Sequence, residues 1–287
     1  MHSDKVLQNR KLALYNFSLL KYNAAIQTPP RRKRKEESLM KKWIALILAV
    51  ILVAACFAGC GTKDKFVVGI TDYAPMDYKD ENGEWTGFDA EFARLFAEEL
   101  GQEIEFFVIT DWGKKFIELA DGNIDCVWNG MTITEEALLN ASVSDPYVIN
   151  AQVVVMKADK IADYTTAESL KDLTIAVENG SAGQDAAEAT GSENIILVQD
   201  QGAALLEVKA GTSDACVIDI TMANAMTGEG SDYADLAAGI SLTSEEYGVA
   251  FPKDSELTAK FNAFMDKLIA DGTLQALAEK YNLTLAG

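Results

Sequence analysis

The sequence predicts an α/β protein with two similar lobes, each built on a mainly parallel sheet. Short β-rich runs alternate with helical stretches from residue 66 onward, which is typical of βαβ units with helices on both faces of a sheet. In addition, the pattern of Glu, an aliphatic residue, Gly and Asp at 118–125 returns with the same spacing at 207–214. This repeat favours two related lobes over one large sheet.

The first lobe is predicted from apolar periodicity and from helix stop signals. Strands are predicted at 66–70, 105–109 and 125–128. The helices between them begin at Asp89 and at Trp112, and they stop at Gly101 and at Gly122. We therefore expect a strand, helix, strand, helix, strand order in this half of the chain.

The second half repeats this alternation and then ends in two helices. Strands are predicted at 173–177, 195–198 and 215–218. Extended segments at 152–156 and 247–251 are expected at the two places where the chain passes between the lobes. The apolar faces of the last helices need a lobe to cover. The predicted bounds are 66–151 for lobe 1, 152–243 for lobe 2 and 244–287 for a return to lobe 1.

Residues 40–59 have the features of a lipoprotein signal peptide. A positive start at Met40 precedes an uncharged run that is shorter than a membrane-spanning helix usually needs. The run ends in two small-residue boxes that resemble the bacterial lipobox. We expect diacylation of Cys60, because the polar tether 60–65 follows it, with Cys56 as the alternative. Two acyl chains suffice for stable anchoring. The predicted location is the outer face of the cytoplasmic membrane, with contact to lipid through the anchor alone.

Residues 1–39 fit no part of this signal. The basic run 31–37 corresponds to what a purine-rich ribosome-binding site encodes when it is translated in frame, and it lies just before Met40. We therefore expect translation to start at Met40, which leaves 1–39 as an extension without a fold of its own. The alternative is a basic extension of the signal.

The charge of the chain excludes several function classes. The formal net charge is −19, and residues 60–287 alone contain 14 Lys/Arg and 41 Asp/Glu. Such a surface repels phosphate backbones and anionic lipids, so we expect no nucleic-acid partner. Residues 60–287 contain one arginine, Arg94, and no histidine. Acid-base chemistry near neutral pH would then need a tuned carboxylate, tyrosine or lysine, which disfavours an enzyme.

The four cysteines predict neither a disulfide framework nor a metal site. No pair has CxxC spacing. Cys126 and Cys216 each lie at the start of a predicted core strand, where a free thiol packs as a small apolar side chain. We expect no metal and no cofactor.

Eight short motifs, in order along the chain, resemble the family of solute-binding proteins for polar amino acids, which has the type II periplasmic-binding fold. The motifs are TDYAP at 71–75, WTGFD at 85–89, GNID at 122–125, TITEE at 132–136, SDPY at 144–147, ENGS at 178–181, YGVAF at 247–251 and DGT at 271–273. The resemblance covers 66–287. It implies a monomer whose lobes close on a two-stranded hinge over one small ligand, an amino acid or a related amine. It also implies delivery of that ligand to an ABC permease and its ATPase.

The candidate ligand-binding residues follow the ends of predicted strands, where ligands of open α/β sheets bind. They are Tyr73, Trp112, Asn129, Gly130, Thr132, Glu178, Ser181, Ala182 and Asp219. Tyr73 and Trp112 supply flat walls for a side chain or a cation. Backbone N–H groups and the Thr132 hydroxyl suit a carboxylate, as does the turn that opens a helix at Ser181. The resemblance assigns Asp219 to the ligand's α-ammonium group.

The chain departs from this family at one position. The arginine that clamps the ligand's carboxylate falls five residues after Thr132, where this sequence has Ala137. The fork geometry that suits arginine to carboxylates is therefore missing. Two ligand classes remain open, a polar amino acid held by backbone donors and a cationic amine drawn to Glu178 and Asp219. An enzyme of the same fold, similar to cyclohexadienyl dehydratase with Glu178 or Asp219 as its acid, is the alternative function.

Overall fold

Residues 65–228 and 230–287 are the ones that the computed structural model of the protein describes. The extension 1–39, the signal peptide 40–59, both candidate lipidation sites and all of the tether except Lys65 lie outside these described residues. Lys65 is the first residue of a strand rather than part of a tether. No helix among the described residues is long and apolar enough to cross a membrane.

The described residues contain fourteen strands and eight α-helices. The strands are β1 (Lys65–Ile70), β2 (Tyr78–Lys79), β3 (Trp85–Thr86), β4 (Glu103–Val108), β5 (Cys126–Val127), β6 (Ser142–Val143), β7 (Val148–Asn150), β8 (Gln152–Lys157), β9 (Thr174–Glu178), β10 (Asn194–Val198), β11 (Ala215–Asp219), β12 (Leu236–Ser241), β13 (Glu245–Tyr247) and β14 (Ala250–Phe251). The helices are α1 (Phe88–Leu100), α2 (Lys115–Ala120), α3 (Glu135–Asn140), α4 (Ala182–Glu188), α5 (Gln201–Ala210), α6 (Ile220–Met226), α7 (Glu256–Ala270) and α8 (Thr273–Lys280).

The two main sheets have the same design, which confirms the predicted α/β class with two similar lobes. The lobe 1 sheet has the order β4-β1-β5-β14-β6, and the lobe 2 sheet has the order β10-β9-β11-β8-β12. In each sheet the fourth strand runs antiparallel to both of its neighbours, while the other four strands share one direction. Both sheets are therefore mainly parallel.

Asp125 and Asp214 occupy equivalent positions in the two lobes, and each makes the same contacts within its own lobe. Asp125 accepts the backbone N–H of Val67 at 2.9 Å and donates its own N–H to the Val67 carbonyl at 2.7 Å. Asp214 makes the same two contacts with Thr174, at 2.8 and 2.9 Å. These are the aspartates of the repeated sequence pattern, so the repeat marks the same structural position in both lobes.

The core of lobe 1 is aromatic and is completed by the C-terminal helices. Phe88, Phe92 and Phe96 recur every four residues on α1, which places them on one face. Phe92 and Phe96 pack against Phe261 of α7, with ring centroids 5.4 and 5.3 Å apart. α1 ends at Gly101, whose φ of 68° suits glycine and lets its N–H reach the last carbonyls. The last two helices thus pack on lobe 1.

The connection between the lobes differs in detail from the predicted hinge. The antiparallel pair of β7 with β13 joins them. The predicted segment 152–156 instead lies in β8 of the lobe 2 sheet, and 250–251 lies in β14 of the lobe 1 sheet. The hinge strands are three residues each, too short for an apolar pattern to distinguish them from the longer strands that follow.

Candidate ligand-binding site

A cavity of about 40 Å³ lies between the two lobes. Eight of the nine candidate residues line it, namely Trp112, Asn129, Gly130, Thr132, Glu178, Ser181, Ala182 and Asp219. The other lining residues were not among the candidates, and they are Lys115, Met131, Thr134, Glu136, Gln152, Gly180, Asp185 and Gln201.

Tyr73 is the candidate that does not line the cavity. Its side chain is 2% exposed, and its hydroxyl forms hydrogen bonds with the hydroxyls of Thr221 and Tyr247. Thr221 belongs to α6 of lobe 2, and Tyr247 belongs to the hinge strand β13. Tyr73 therefore joins the lobes behind the cavity in place of forming a wall of it.

The lobes are closed on each other at the other side of the cavity. The Asn179 amide of lobe 2 donates to the Asp111 carboxylate of lobe 1 at 2.9 Å. Gly113 and Gly180 meet backbone to backbone, since a Cβ at Gly180 would lie 2.5 Å from the Gly113 Cα. Gly180 also has a φ of 72°, so both its conformation and its surroundings require glycine.

Several of the groups expected to receive a ligand carboxylate are already engaged. The Gly130 N–H donates to Asp89 at 2.6 Å, and the Asn129 amide makes two hydrogen bonds with Thr71. The Thr132 hydroxyl donates to Glu245 at 2.8 Å. These contacts hold the loop after β5 in shape, which corrects the expectation that the hydroxyl of Thr132 and the N–H of Gly130 face a ligand.

Two of the expected donors keep their hydrogen-bonding capacity. The backbone N–H groups of Thr132 and Ala182 have no acceptor in the part of the chain that the structure describes. Ser181 caps α4, because its hydroxyl accepts the Gln184 N–H at 3.1 Å and donates to the Glu178 carbonyl at 2.9 Å. Ser181 therefore positions the Ala182 N–H at the cavity.

Asp219 is buried at the end of β11 and is held by amides. Its Oδ1 accepts from Asn150 and from Gln152, the latter at 2.7 Å, and its Oδ2 accepts from Gln201. These bonds occupy three of the roughly four acceptor positions of a carboxylate, and the Tyr247 hydroxyl also favours its ionised form. Burial, and then the nearby charge of Glu245, raise the pKa of Asp219 to about 6.

Glu245 is a second carboxylate of the same network that sequence reasoning missed. Its Oε1 accepts from Asn150 at 2.6 Å, from Gln152 at 2.7 Å and from the Thr132 hydroxyl. Two amides are thus shared between Glu245 and Asp219. Glu245 lies on a hinge strand far along the chain from the other site residues, so no local motif marks it.

Glu178 is the less satisfied of the two buried carboxylates of the cavity. It is 4% exposed, and its Oε1 has no hydrogen-bond donor among the described residues. Burial raises its pKa well above the ordinary value, and the charges of Asp219 and Asp200 add to this. A buried carboxylate oxygen without a donor is costly, so the site is suited to a ligand that brings N–H groups.

Lys115, the first residue of α2, is the cation that sequence reasoning missed. It is 6% exposed, and its ammonium donates to the Gly180 carbonyl at 2.9 Å and to the Trp112 carbonyl at 3.4 Å. Burial lowers its pKa, an effect that Glu136 and Glu178 oppose. Its position three residues after Trp112 is the sequence signal, because residues at this spacing share a helix face.

Ala137 does not contribute to the cavity. It is 1% exposed and packs in an apolar cluster with Trp112, Leu119 and Met131. The basic group of the cavity comes from α2 and not from α3, where the family resemblance places it. Cys126 and Cys216 are buried free thiols, as predicted. Among the described residues, no group of three or more His, Cys, Asp or Glu side chains could hold a metal ion.

Comparisons with known proteins agree with this architecture. The family model of bacterial extracellular solute-binding proteins, family 3, matches residues 66–284. The arginine-binding extracellular protein ArtP of Bacillus subtilis is 31% identical over 259 residues, which cover 84% of this chain and 98% of ArtP.

Two solved structures extend the likeness. A mutant of ArgBP from T. maritima superimposes with a TM-score of 0.71 at 32% identity, over 76% of this chain and 95% of that one. The ancestral amino acid-binding protein AncCDT-1, a precursor of cyclohexadienyl dehydratase, superimposes with a TM-score of 0.70 at 32% identity. The match covers 76% of this chain and 96% of that one. The two-lobed fold that the motifs predicted is thereby confirmed.

Proposed function

Because the chain belongs to the bacterial extracellular solute-binding proteins of family 3, we propose that it captures a cationic amino acid between its lobes for an ABC importer. The relative ArtP is an arginine-binding protein, and ArgBP from T. maritima has been solved in an arginine-bound form. These likenesses support an amino-acid ligand, and the charges of the cavity support a cationic one.

The donor-free oxygen of Glu178 is the observation that carries this proposal. Four carboxylates line the cavity, of which Glu178 and Asp219 are buried and Glu136 and Asp185 lie at its exposed rim. Buried carboxylates close together repel, and they need a cation or donors to remain ionised. A guanidinium or ammonium group placed at Glu178 supplies both.

The proposal includes export and anchoring. Residues 40–59 act as the signal peptide, and Cys60, or alternatively Cys56, carries the acyl chains that hold the protein at the outer face of the membrane. The protein acts as a monomer, and its permease partner receives the ligand. Mass spectrometry of protein from its native membrane should detect a diacylated Cys60 peptide. A peptide from residues 1–39 would contradict the start at Met40.

The ligand is tested by isothermal titration calorimetry of the purified protein with the twenty amino acids, agmatine and putrescine. We expect arginine, lysine or histidine to bind most tightly and to raise the thermal unfolding temperature, since a ligand that binds only the folded state stabilises it. Tightest binding of a neutral or acidic amino acid would contradict the cationic class. Absence of any amino-acid binding would contradict the function.

An enzyme in the same cleft is the alternative, because Glu178 is a buried acid with a raised pKa. We propose that the protein is a binding protein and not an enzyme, since ArtP is an arginine-binding protein and ArgBP has been solved with arginine bound. Incubation with prephenate and with arogenate should leave both compounds unchanged. Loss of either compound that depends on Glu178 would establish the dehydratase instead.

A further inference from the structure

Lys115 is the only cationic side chain among the described residues that line the cavity. Every other charged lining residue is a carboxylate, namely Glu136, Glu178, Asp185 and Asp219. A lone ammonium in this setting is expected to pair with one of these carboxylates.

Lys115 forms no such ion pair with any described carboxylate. Its hydrogen bonds go to the backbone carbonyls of Gly180 and Trp112. An ammonium has three N–H donors, so one donor and the full positive charge stay available. A buried charge is stable only when it is paired, and no described carboxylate forms a direct ion pair with Lys115, although Glu136 and Glu178 act on its charge from a longer distance.

The neighbourhood of Lys115 is suited to a carboxylate. The backbone N–H groups of Thr132 and Ala182 also reach the cavity and also lack an acceptor among the described residues. Thr132 lies on lobe 1 and Ala182 on lobe 2, and Lys115 spans both lobes through its bond to Gly180. An anion bound by these three donors would contact both lobes and hold them closed.

We propose that Lys115 binds the carboxylate of the ligand and thereby selects amino acids over the amines that result from their decarboxylation. This inference rests on the proposed function, in which Glu178 and Asp219 receive the cationic groups. The ligand then lies between the ammonium on lobe 1 and the buried carboxylates on lobe 2. The ligand class is an α-amino acid with a cationic side chain.

Calorimetry with matched pairs tests the proposal on the wild-type protein. The pairs are L-arginine with agmatine, L-lysine with cadaverine and L-histidine with histamine, which differ only in the carboxylate. We expect the amino acid of the bound pair to bind at least about 30-fold more tightly, since hydrogen bonds to a charged group are individually strong. An amine that binds as tightly as its amino acid would overturn the role of Lys115 and leave the binding function intact.

The variant Lys115→Met then assigns the selectivity to the side chain. Methionine keeps the unbranched apolar stem beside Trp112 and Phe116 and removes the charge. We expect the affinity for the amino acid to fall by about 30-fold and that for the amine to change by less than about threefold. The control is Lys171→Met, which removes an exposed lysine outside the cavity and should change neither affinity.

The other outcomes separate the explanations. An equal loss of affinity for both members of a pair would mean that Lys115 acts only through its hydrogen bond to Gly180. An unchanged affinity for both would mean that Lys115 does not contact the ligand. Either result overturns the proposal. If Lys115→Met does not fold, Lys115→Arg, which keeps the charge, should retain the preference for the amino acid, and the wild-type ratio remains a test by itself. If no amino acid of the pairs binds the wild-type protein, the cationic class is contradicted and this inference falls with it.

Discussion

The two lobes share a sheet order but present different chemistry at equivalent positions. Asp125 and Asp214 fix the register, because each makes the same pair of bonds with the neighbouring strand. Five residues after them come Gly130 in lobe 1 and Asp219 in lobe 2. Asp125 bonds to Val67 and Asp214 bonds to Thr174. Four residues after Val67 comes Thr71, and four residues after Thr174 comes Glu178. The positions that are neutral in lobe 1 are carboxylates in lobe 2.

The lobes also differ in the hydrogen-bond partners available at these positions. Thr71 is hydrogen-bonded to Asn129, and the N–H of Gly130 is bonded to Asp89, so these two positions of lobe 1 are satisfied by groups of the same lobe. In lobe 2 an oxygen of Glu178 has no donor among the described residues. The two lobes thus have the same sheet order, and the difference in charge between them lies in the residues at the ends of equivalent strands. Lobe 2 offers buried negative charge, while lobe 1 offers the Lys115 ammonium.

The largest expected effect comes from Asp219→Asn. The substitution removes the charge and places an amide N–H group among three amide donors, so we expect affinity for a cationic amino acid to fall by about 100-fold. The matched control is Asp159→Asn, an exposed residue of lobe 2. Calorimetry measures both. An unchanged dissociation constant in a folded Asp219→Asn protein would contradict the assignment of the ligand's ammonium to lobe 2.

Gly180→Ala tests whether binding requires the close approach of the lobes. The added Cβ would lie 2.5 Å from the Gly113 Cα, so we expect about a 30-fold loss of affinity through a less populated closed state. The control is Gly211→Ala, which has a similar φ of 78° but no neighbour within 4 Å. Gly180→Ala should lose at least as much stability on thermal unfolding as Gly211→Ala, because both have the backbone strain and only Gly180→Ala adds the contact with Gly113. Equal affinities for the two variants would exclude a role for this contact in closure.

Glu178→Gln compares the equivalent positions of the lobes directly. The loss of the charge should weaken L-arginine binding by about tenfold and change L-glutamine binding by less than about threefold. Thr71→Val at the matching position of lobe 1 removes a hydrogen bond to Asn129, so it should lower stability without changing the ratio of the two affinities. A change of this ratio in Thr71→Val would contradict the assignment of charge recognition to lobe 2.

The smallest expected effect is that of pH. The pKa of Asp219 is about 6, above the ordinary value of 3.8. A cationic ligand needs the ionised form, so its affinity should fall by about fourfold from pH 7.0 to pH 5.5. The ligand-free protein should respond in the opposite direction. Between pH 6 and pH 4 the folded state binds the Asp219 proton more readily than the unfolded state, so this group raises the free energy of unfolding as the pH falls.

The Asp219→Asn variant isolates this part of the pH dependence. The variant cannot titrate at this position, so the difference between the two proteins in urea unfolding from pH 7 to pH 4 reports Asp219 together with its effect on Glu178. We expect the wild type to gain more stability on acidification than the variant. A parallel response of both proteins would mean that Asp219 is ionised at pH values well below 6.

Sequence reasoning predicted the parts of this molecule that have a local signal. The strand and helix alternation, the repeat that marks Asp125 and Asp214, and the strand-end positions of Trp112 and Asp219 follow from spacing along the chain. Tyr73 was misplaced because a tyrosine beyond a strand end is also suited to a contact between lobes, and its partners Thr221 and Tyr247 are distant in sequence.

The rest of the site depends on contacts that only the folded chain brings together. Glu245 reaches the cavity network from the second hinge strand, 26 residues after Asp219. Lys115 resembles any lysine on a short surface helix until the closure of lobe 2 over α2 buries it. The family pattern predicts the basic group at position 137 in α3, whereas the basic group of the cavity is Lys115, 22 residues earlier.

The hinge has a mechanical consequence. β7 and β13 are three residues long, so the pivot measures about 10 Å along the chain. Asn150 of β7 and Glu245 of β13 belong to the hydrogen-bonded network that holds Asp219. The hinge strands and the ligand-side carboxylate thus share one hydrogen-bonded network, so a rotation of the lobes about β7 and β13 would act directly on the amides that hold Asp219. Because displacement in a rotation grows with distance from the axis, such a rotation would move the rims of the lobes much more than it moves the residues beside the hinge.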